Sequence, residues 1–517
     1  MTVARAESIG VPERFNAAAF FVDRNVDEGR GDRIAIECGD ARITYDTVRR
    51  NVNRVGSALR QLGVRREERV LLLLHDTPEF AYAFFGAIKI GAVPVPLNTL
   101  WRPADYDYVV RDAAPSAIVV GASLADRIDA RQPVTYVENL VAGGDEDLAA
   151  EDTHRDTPAF WLYSSGSTGA PKGCVHLQHD MAMCARLFGQ GILDIRESDR
   201  TFSVAKLFFA YGLGNALYFP FSVGATTILW PGAPAPQHVY DVIERHHPTL
   251  FYSVPTGYGM LLAHQRGGGG AALQGCPDFD LSSIRLAVSA GEALPPALYE
   301  RFKQRFGLDI IDGIGSTEAL HMFISNRPGA IKPGSSGQIV PGYDARVLDE
   351  ERVPVADGEI GNLWVSGDSV CAAYWNQHEK TKNTIEGQWI RTGDKYSRDA
   401  DGFFWYAGRS DDMLKVGGLW VSPIEVENAL LSHAAVLECG VVGREDHDTL
   451  VKPMAFVVLR DAAGSPELAS ELQQFVRERL AEYKRPRWVE FVAELPKTAT
   501  GKIQRFKLRE SAAGGRR

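Results

Sequence analysis

The run Tyr163-Ser164-Ser165-Gly166-Ser167-Thr168-Gly169-Ala170-Pro171-Lys172-Gly173 gathers three glycines, four Ser/Thr hydroxyls and a lysine into eleven residues. It follows the apolar stretch Ala159–Leu162, which predicts a strand running into a loop. Backbone N–H groups, hydroxyl donors and a cation side by side are what a polyphosphate needs. Pro171 precedes the lysine and the G-x-x-x-x-G-K-[ST] spacing is absent, so this is not a Walker A loop. The alternative is a Ser/Gly-rich surface turn.

Other residues gain meaning from their neighbours. Glu318 ends the Gly/Ser/Thr loop Asp312-Gly313-Ile314-Gly315-Ser316-Thr317 after an apolar strand. A hard carboxylate there could hold Mg²⁺ against phosphates; otherwise it is a solvated charge at the start of a helix. Asp394 closes Thr392-Gly393-Asp394, which reads as a tight turn. Lys502 follows Thr500-Gly501 beside Lys497 and Lys507, and composition alone makes it one solvated lysine among several.

The elements that carry these residues fall into two styles. Apolar runs at 70–74, 117–120, 225–230, 250–254, 285–289 and 309–311 alternate with segments 79–90 and 296–306, which have helical periodicity. This pattern predicts an α/β fold of layered sheets and helices, with buried, largely parallel strands. After Gly408, strands are predicted at 436–442 and 453–459, and Leu468, Leu472, Phe475, Val476 and Leu480 recur at helical spacing. We therefore expect a large N-terminal domain over 1–409 and a small, mobile α+β domain over 410–517. The short charged join Arg409-Ser410-Asp411-Asp412 reads as a hinge.

Composition bounds the ligands and the setting. The 517 residues are 45% hydrophobic and 24% charged, as expected of a folded globular chain. A net charge of −10 provides no global attraction for nucleic acid or anionic membrane, so anionic ligands must be held by local donors. The six cysteines (38, 174, 184, 276, 371 and 439) form no C-x-x-C pair and no zinc-spaced cluster, and read as thiols of a reducing cytoplasm. Residues 208–230 carry no charge, yet Asn215, Pro220 and Gly224 interrupt them, so a buried element is expected rather than a membrane span. The N-terminus lacks the apolar stretch of a signal peptide.

The 163–173 loop resembles the phosphate-binding signature of the adenylate-forming superfamily of acyl-CoA synthetases, peptide-synthetase adenylation domains and luciferases. Further matches follow in order: Ser289-Ala290-Gly291-Glu292, Asp312 to Glu318, Arg391-Thr392-Gly393-Asp394, Gly408 to Asp412, and Pro496 to Lys502. Within the superfamily the chain resembles the benzoate-CoA ligase branch through KLFFAYGLGN (206–215), GSTEALHMFISN (315–326), SDDMLKVGGLWVSPIEVE (410–427) and LPKTATGKIQRFKLRE (495–510).

The resemblance implies a set of roles. ATP would be bound by Ser164, Ser165, Gly166, Ser167, Thr168, Gly169 and Lys172 at its phosphates. Gly291, Glu292, Asp312, Gly313, Ile314, Gly315, Ser316 and Thr317 would line the nucleotide, with the first four flanking adenine. Asp394 would grip the ribose hydroxyls, and Arg409 the ribose or a phosphate. Glu318 would hold Mg²⁺. Lys502, Glu318 and Thr168 would serve catalysis, with Lys502 bridging the substrate carboxylate and the α-phosphate. The acyl pocket would be walled by Phe209, Ala210, Tyr211, Gly212, Ile314, Gly315 and His321. One of Phe208 and Phe209 is expected to be core, on strand alternation, and His321 would lie near Glu318 if a helix starts there. The hinge would be Asp411, with Gly417 and Gly418 along the coenzyme A tunnel.

The implied reaction has two steps. The carboxylate of benzoate or a substituted benzoate, such as 2-aminobenzoate or a hydroxybenzoate, attacks the α-phosphorus of ATP. Pyrophosphate leaves with Mg²⁺ assistance, and the coenzyme A thiol then displaces AMP from the acyl-adenylate. Two alternatives remain: a stand-alone adenylation enzyme that loads a carrier protein, and a nucleotide-binding protein without catalysis, against which Glu318, Asp394 and Lys502 weigh. Ring substituents, pathway and oligomeric state, including a homodimer, stay open.

Overall fold

The computed structural model describes residues 3–129, 134–164, 171–264, 279–416, 419–447, 450–460, 463–497 and 503–514. Its largest sheet has nine strands, and the six at its centre are parallel: Ile34–Cys38, Thr226–Leu229, Arg200–Ser203, Leu250–Ser253, Leu286–Ser289 and Ile310–Gly315. Antiparallel strands close both edges, Ala41–Thr44 at one and Met322–Ser325 with Gln338–Ile339 at the other. A second, four-stranded parallel sheet runs Val93–Pro96, Arg69–Leu73, Ala117–Val120, Val134–Tyr136. Central strands such as Leu250–Ser253 and Leu286–Ser289 are buried throughout, as continuous apolar runs in an α/β layer must be.

The two anticipated helices are Pro78–Lys89 and Pro296–Phe306, each with proline in its first turn, where a missing N–H costs nothing. The uncharged 208–230 stretch folds as a helical run over Ala210–Val223, which passes through a π segment at Gly214–Tyr218, and then the strand Thr226–Leu229. Gly224, at φ +77°, makes the break. No helix among the described residues is long and apolar enough to cross a membrane.

One layer was not anticipated. Residues 344–409 form an antiparallel sheet in which Asp344–Leu348, Gly361–Ser366 and Trp389–Arg398 lie side by side and Phe404–Arg409 pairs with the last of them. Beyond it lies the smaller C-terminal domain. Val436–Glu445 pairs antiparallel with Val451–Leu459, which carries Trp488–Phe491 in parallel. Helices Pro423–Leu431 and Pro466–Arg477 are each capped by a serine hydroxyl, Ser422 and Ser465. The apolar clusters here draw only on residues from 414 onward, so this domain packs its own core.

Candidate active site

Two paired strands flank the phosphate-loop candidate. Strands Pro158–Ser164 and Lys172–Leu177 pair antiparallel, with Ser164 opposite Lys172 as the last pair before the loop. Ser165, Gly166, Ser167, Thr168 and Gly169 lie outside the described residues, as do Gly417, Gly418 and Lys502. The returning strand is flanked by Ala373–Tyr374, with Tyr374 opposite Cys174. This pairing puts the Tyr374 ring beneath the Lys172 ammonium, 5.0 Å from Nζ to the ring centroid.

Glu318 does not begin a helix. The chain reverses between the antiparallel strands Ile310–Gly315 and Met322–Ser325, because Ser316 Oγ accepts the Ala319 N–H at 3.1 Å and Leu320 takes φ +68°. His321 is therefore brought near this turn by strand reversal and not by a helical step. Three bonds fix the reversal. The Cys371 N–H donates to the Glu318 carbonyl at 2.7 Å, His176 Nε2 bonds the Thr317 carbonyl at 2.8 Å, and the Tyr374 hydroxyl donates to Glu318 Oε1 at 2.8 Å. Burial and the Glu318 carboxylate push the Tyr374 phenol up, so it remains a donor.

Asp394 is likewise not in a free turn. Thr392-Gly393-Asp394 lies inside the long strand Trp389–Arg398 and bulges from its ladder: Asn362 faces Lys395 while Trp364 faces Arg391. Gly393 at φ +77° permits the bulge, and the Asp394 N–H donates to Thr392 Oγ1 at 3.1 Å. Arg409, opposite Asp394 on the next strand, donates to Asp394 Oδ1 at 2.9 Å and to the Thr392 carbonyl at 3.3 Å. Arg409 and Asp394 thus form an ion pair. Burial opposes the Arg409 charge, but Asp394 and, more weakly, Tyr406 and Glu318 hold its pKa up.

The residues expected beside adenine sit at carboxyl ends of adjacent parallel strands, where open α/β sheets bind ligands. Ser253, Ser289 and Asp312 face one another in register. Burial pushes the Asp312 carboxyl up to about 8, although the Leu294 N–H reaches its Oδ2 at 3.4 Å. Gly291, at φ +91°, turns the chain after Ser289, and Glu292 Oε2 accepts from Thr256 Oγ1 at 3.3 Å. Gly313, Ile314 and Gly315 pair with Ser325, Ile324 and Met322. A Cβ on Gly315 would come within 2.5 Å of the His321 carbonyl oxygen, so this close crossing requires glycine.

Phe208 and Phe209 lie in a turn before the Ala210–Leu213 helix and not on a strand, so strand alternation does not sort them. Phe208 is nevertheless buried, Phe209 is partly exposed, and their rings are 4.5 Å apart. The Tyr211 hydroxyl donates to the Val288 carbonyl at 3.1 Å and the Ser253 carbonyl at 3.3 Å. Gly212 packs on backbone, its would-be Cβ 2.2 Å from the Lys206 carbonyl oxygen. His321 is buried among Phe188, Tyr211 and Phe219, with Nε2 3.1 Å from Asn215 Oδ1. Burial lowers its pKa to about 3, against a smaller raising effect from the Tyr211 carbonyl, so the ring is neutral.

Several supporting residues were given no role by the sequence. Asp76 accepts the Leu207 N–H at 3.2 Å, and Lys206 Nζ bonds the Trp230 and Gly232 carbonyls at 2.6 and 2.8 Å, anchoring the chain that enters the Phe208–Gly212 wall. His176 and Tyr374 act on the Glu318 turn from strands far away in sequence. Asn215 alone was legible, as a polar residue in an uncharged stretch.

The profile of the AMP-binding enzyme family matches residues 22–375, and that of the AMP-binding enzyme C-terminal domain matches 425–502. The chain belongs to the AMP-binding enzyme family. Within it, the benzoate–CoA ligase of Thauera aromatica is 48% identical, covering 98% of this chain and 97% of the relative. The 4-hydroxybenzoate–CoA/benzoate–CoA ligase of Rhodopseudomonas palustris is 44% identical over 97% of this chain and 95% of its own. Among solved structures, the anthranilate CoA ligase AuaEII in complex with anthranoyl-AMP superposes with a TM-score of 0.90 at 44% identity, covering 97% of this chain and 98% of that one. This AMP-binding enzyme thus falls in the benzoate–CoA ligase branch.

Proposed function

We propose that this chain is an AMP-forming acid–thiol ligase that converts benzoate, or a benzoate with a small polar ring substituent, to its coenzyme A thioester. ATP and coenzyme A are the co-substrates, and an acyl-adenylate is the intermediate. The observation that carries the reading is full-length likeness to a benzoate–CoA ligase at 48% identity. The neutral His321 and its aromatic neighbours support an aryl substrate, since flat rings and one uncharged polar group suit a substituted ring.

Mechanistically, the donor set beside the 165–170 loop suits a magnesium-bound triphosphate. Glu318 offers a carboxylate and Lys172 a cation, and Mg²⁺ commonly takes one or two protein carboxylates together with substrate phosphates and several waters. Glu318 would hold the ion, which would supply positive charge against the pyrophosphate leaving group. The bulged Asp394 carboxylate, steadied by Arg409, accepts hydrogen bonds from the ribose. Lys502 would bridge the substrate carboxylate and the α-phosphate, where two anions must meet. Positioning and charge neutralisation do most of this work, so no strong general base is needed. We set the domain boundary at 409/410 with Asp411 as its hinge. Rotation there would exchange Lys502 for Gly417 and Gly418 beside the acyl carbon, giving the thiol access.

The experiment is a panel of aryl and alkyl carboxylates in an AMP-release assay with free coenzyme A. Benzoate, 2-aminobenzoate and hydroxybenzoates should show the highest specificity constants. Higher constants for hexanoate would overturn the aryl reading, and pyrophosphate exchange without coenzyme-A-dependent AMP release would point to carrier-protein loading.

A further inference from the structure

Lys172 and Glu318 carry opposite charges at one end of the candidate phosphate site, and neither is the other's ion-pair partner. Opposite charges that share one buried neighbour attract each other. Paired, they would cancel, leaving neither a free carboxylate for a divalent cation nor a free cation for phosphate.

The group they share is Tyr374. Its hydroxyl donates to Glu318 Oε1 at 2.8 Å, while the face of its ring lies 5.0 Å from Lys172 Nζ. The residue is itself held firmly. It is buried to 4% exposure, its strand pairs it with Cys174, and its N–H donates to Thr381 Oγ1 at 3.0 Å. The adjoining segment is tied to the same turn, since the Cys371 N–H donates to the Glu318 carbonyl. Lys380, on the helix His378–Thr384, is within electrostatic reach of both Lys172 and Glu318, so a second cation faces the same space.

We propose that Tyr374 is a positioning residue that keeps Glu318 and Lys172 apart. The hydroxyl would orient the carboxylate and leave Oε2 for the metal, and the ring would hold the ammonium by cation–π attraction toward the phosphates. This rests on the reading of Glu318 as the magnesium carboxylate.

The test is binding of Mn²⁺ to the full-length protein at saturating ATP, read from the electron paramagnetic resonance of free Mn²⁺, with metal-free ATP binding measured in parallel. Y374F keeps the ring and removes the hydroxyl. It should weaken Mn²⁺ binding ~10-fold, the usual cost of losing a group that orients a metal ligand, while leaving metal-free ATP binding unchanged. In turnover, the magnesium concentration needed for half-maximal rate should rise, with the rate recovered at high magnesium. Y374L, which also removes the π face, should in addition weaken metal-free ATP binding several-fold. E318Q should weaken Mn²⁺ binding, and E318Q/Y374F should be no weaker than E318Q alone. Wild-type Mn²⁺ binding by Y374F, with E318Q weakened, would overturn the proposal and leave the magnesium site standing. Wild-type binding by E318Q would overturn the magnesium site itself. Equal ATP affinity for Y374F and Y374L would remove the role given to the ring.

Discussion

His321 Nε2 and Asn215 Oδ1 lie 3.1 Å apart inside an aromatic cluster, and the imidazole making this contact is neutral, its pKa lowered by burial to about 3. An unfolded histidine titrates near 6.5, so the unfolded chain binds this proton first as pH falls. The stability His321 contributes is intact above pH ~6.5 and is lost as pH falls toward 3, at up to ~1.4 kcal/mol per pH unit. Urea unfolding of wild type and H321Q at pH 7.5 and 5.5 should show the wild type losing more stability on acidification. Equal losses would mean that His321 is not buried in its neutral form.

Asp394 predicts nucleotide discrimination. If its carboxylate accepts both ribose hydroxyls, wild type should use 2′-deoxy-ATP less well than ATP in pyrophosphate exchange. Asp394→Ala should raise the KM for ATP roughly tenfold, as expected for losing a hydrogen bond to a charged group, and should abolish that discrimination. A variant that still distinguishes the two nucleotides would remove the ribose role.

Gly214 is a packing constraint that motif reading passes over. A Cβ there would lie 2.5 Å from His321 Cδ2 and 2.9 Å from Nε2. Gly214→Ala should cost about 1–3 kcal/mol, as overpacking does, and should push the imidazole toward the acyl wall. Turnover of 2-aminobenzoate should fall more than that of benzoate. Wild-type thermal stability together with an unchanged substrate ratio would contradict this packing.

Lys502 should matter in one half-reaction. Lys502→Ala should cripple adenylate formation by several orders of magnitude, since a charge in a dry site contributes several kcal/mol to such a step. Attack of coenzyme A on supplied benzoyl-adenylate should be nearly unaffected. Equal loss in both half-reactions, with the fold preserved, would show that the lysine serves another purpose.

The alternation of apolar strands with amphipathic helices was enough to set the α/β class, because strands buried on both faces must be apolar throughout. Pro296–Phe306 was legible end to end, from its proline start to Gly307 at φ +69°. The antiparallel sheet over 344–409 was not, since Asp344–Leu348 and Trp389–Arg398 show mixed burial and the latter pairs with Gly361–Ser366 across a long intervening segment.

At the site, the sequence by itself determined which residue types lie in which short segment: a Ser/Gly loop with Lys172, a carboxylate at 318, a Thr-Gly-Asp at 392–394. Local context misjudged the conformation of two of them. Glu318 resembles a helix start until Met322–Ser325 folds back beside it, and Thr392-Gly393-Asp394 resembles a turn until two neighbouring strands make it a bulge. Only the tertiary structure decided that Tyr374, 56 residues from Glu318, supplies the hydroxyl that the carboxylate accepts, and that Asn215, 106 residues from His321, meets its imidazole. Such pairs depend on sheet order and crossover, and no short window of sequence carries either.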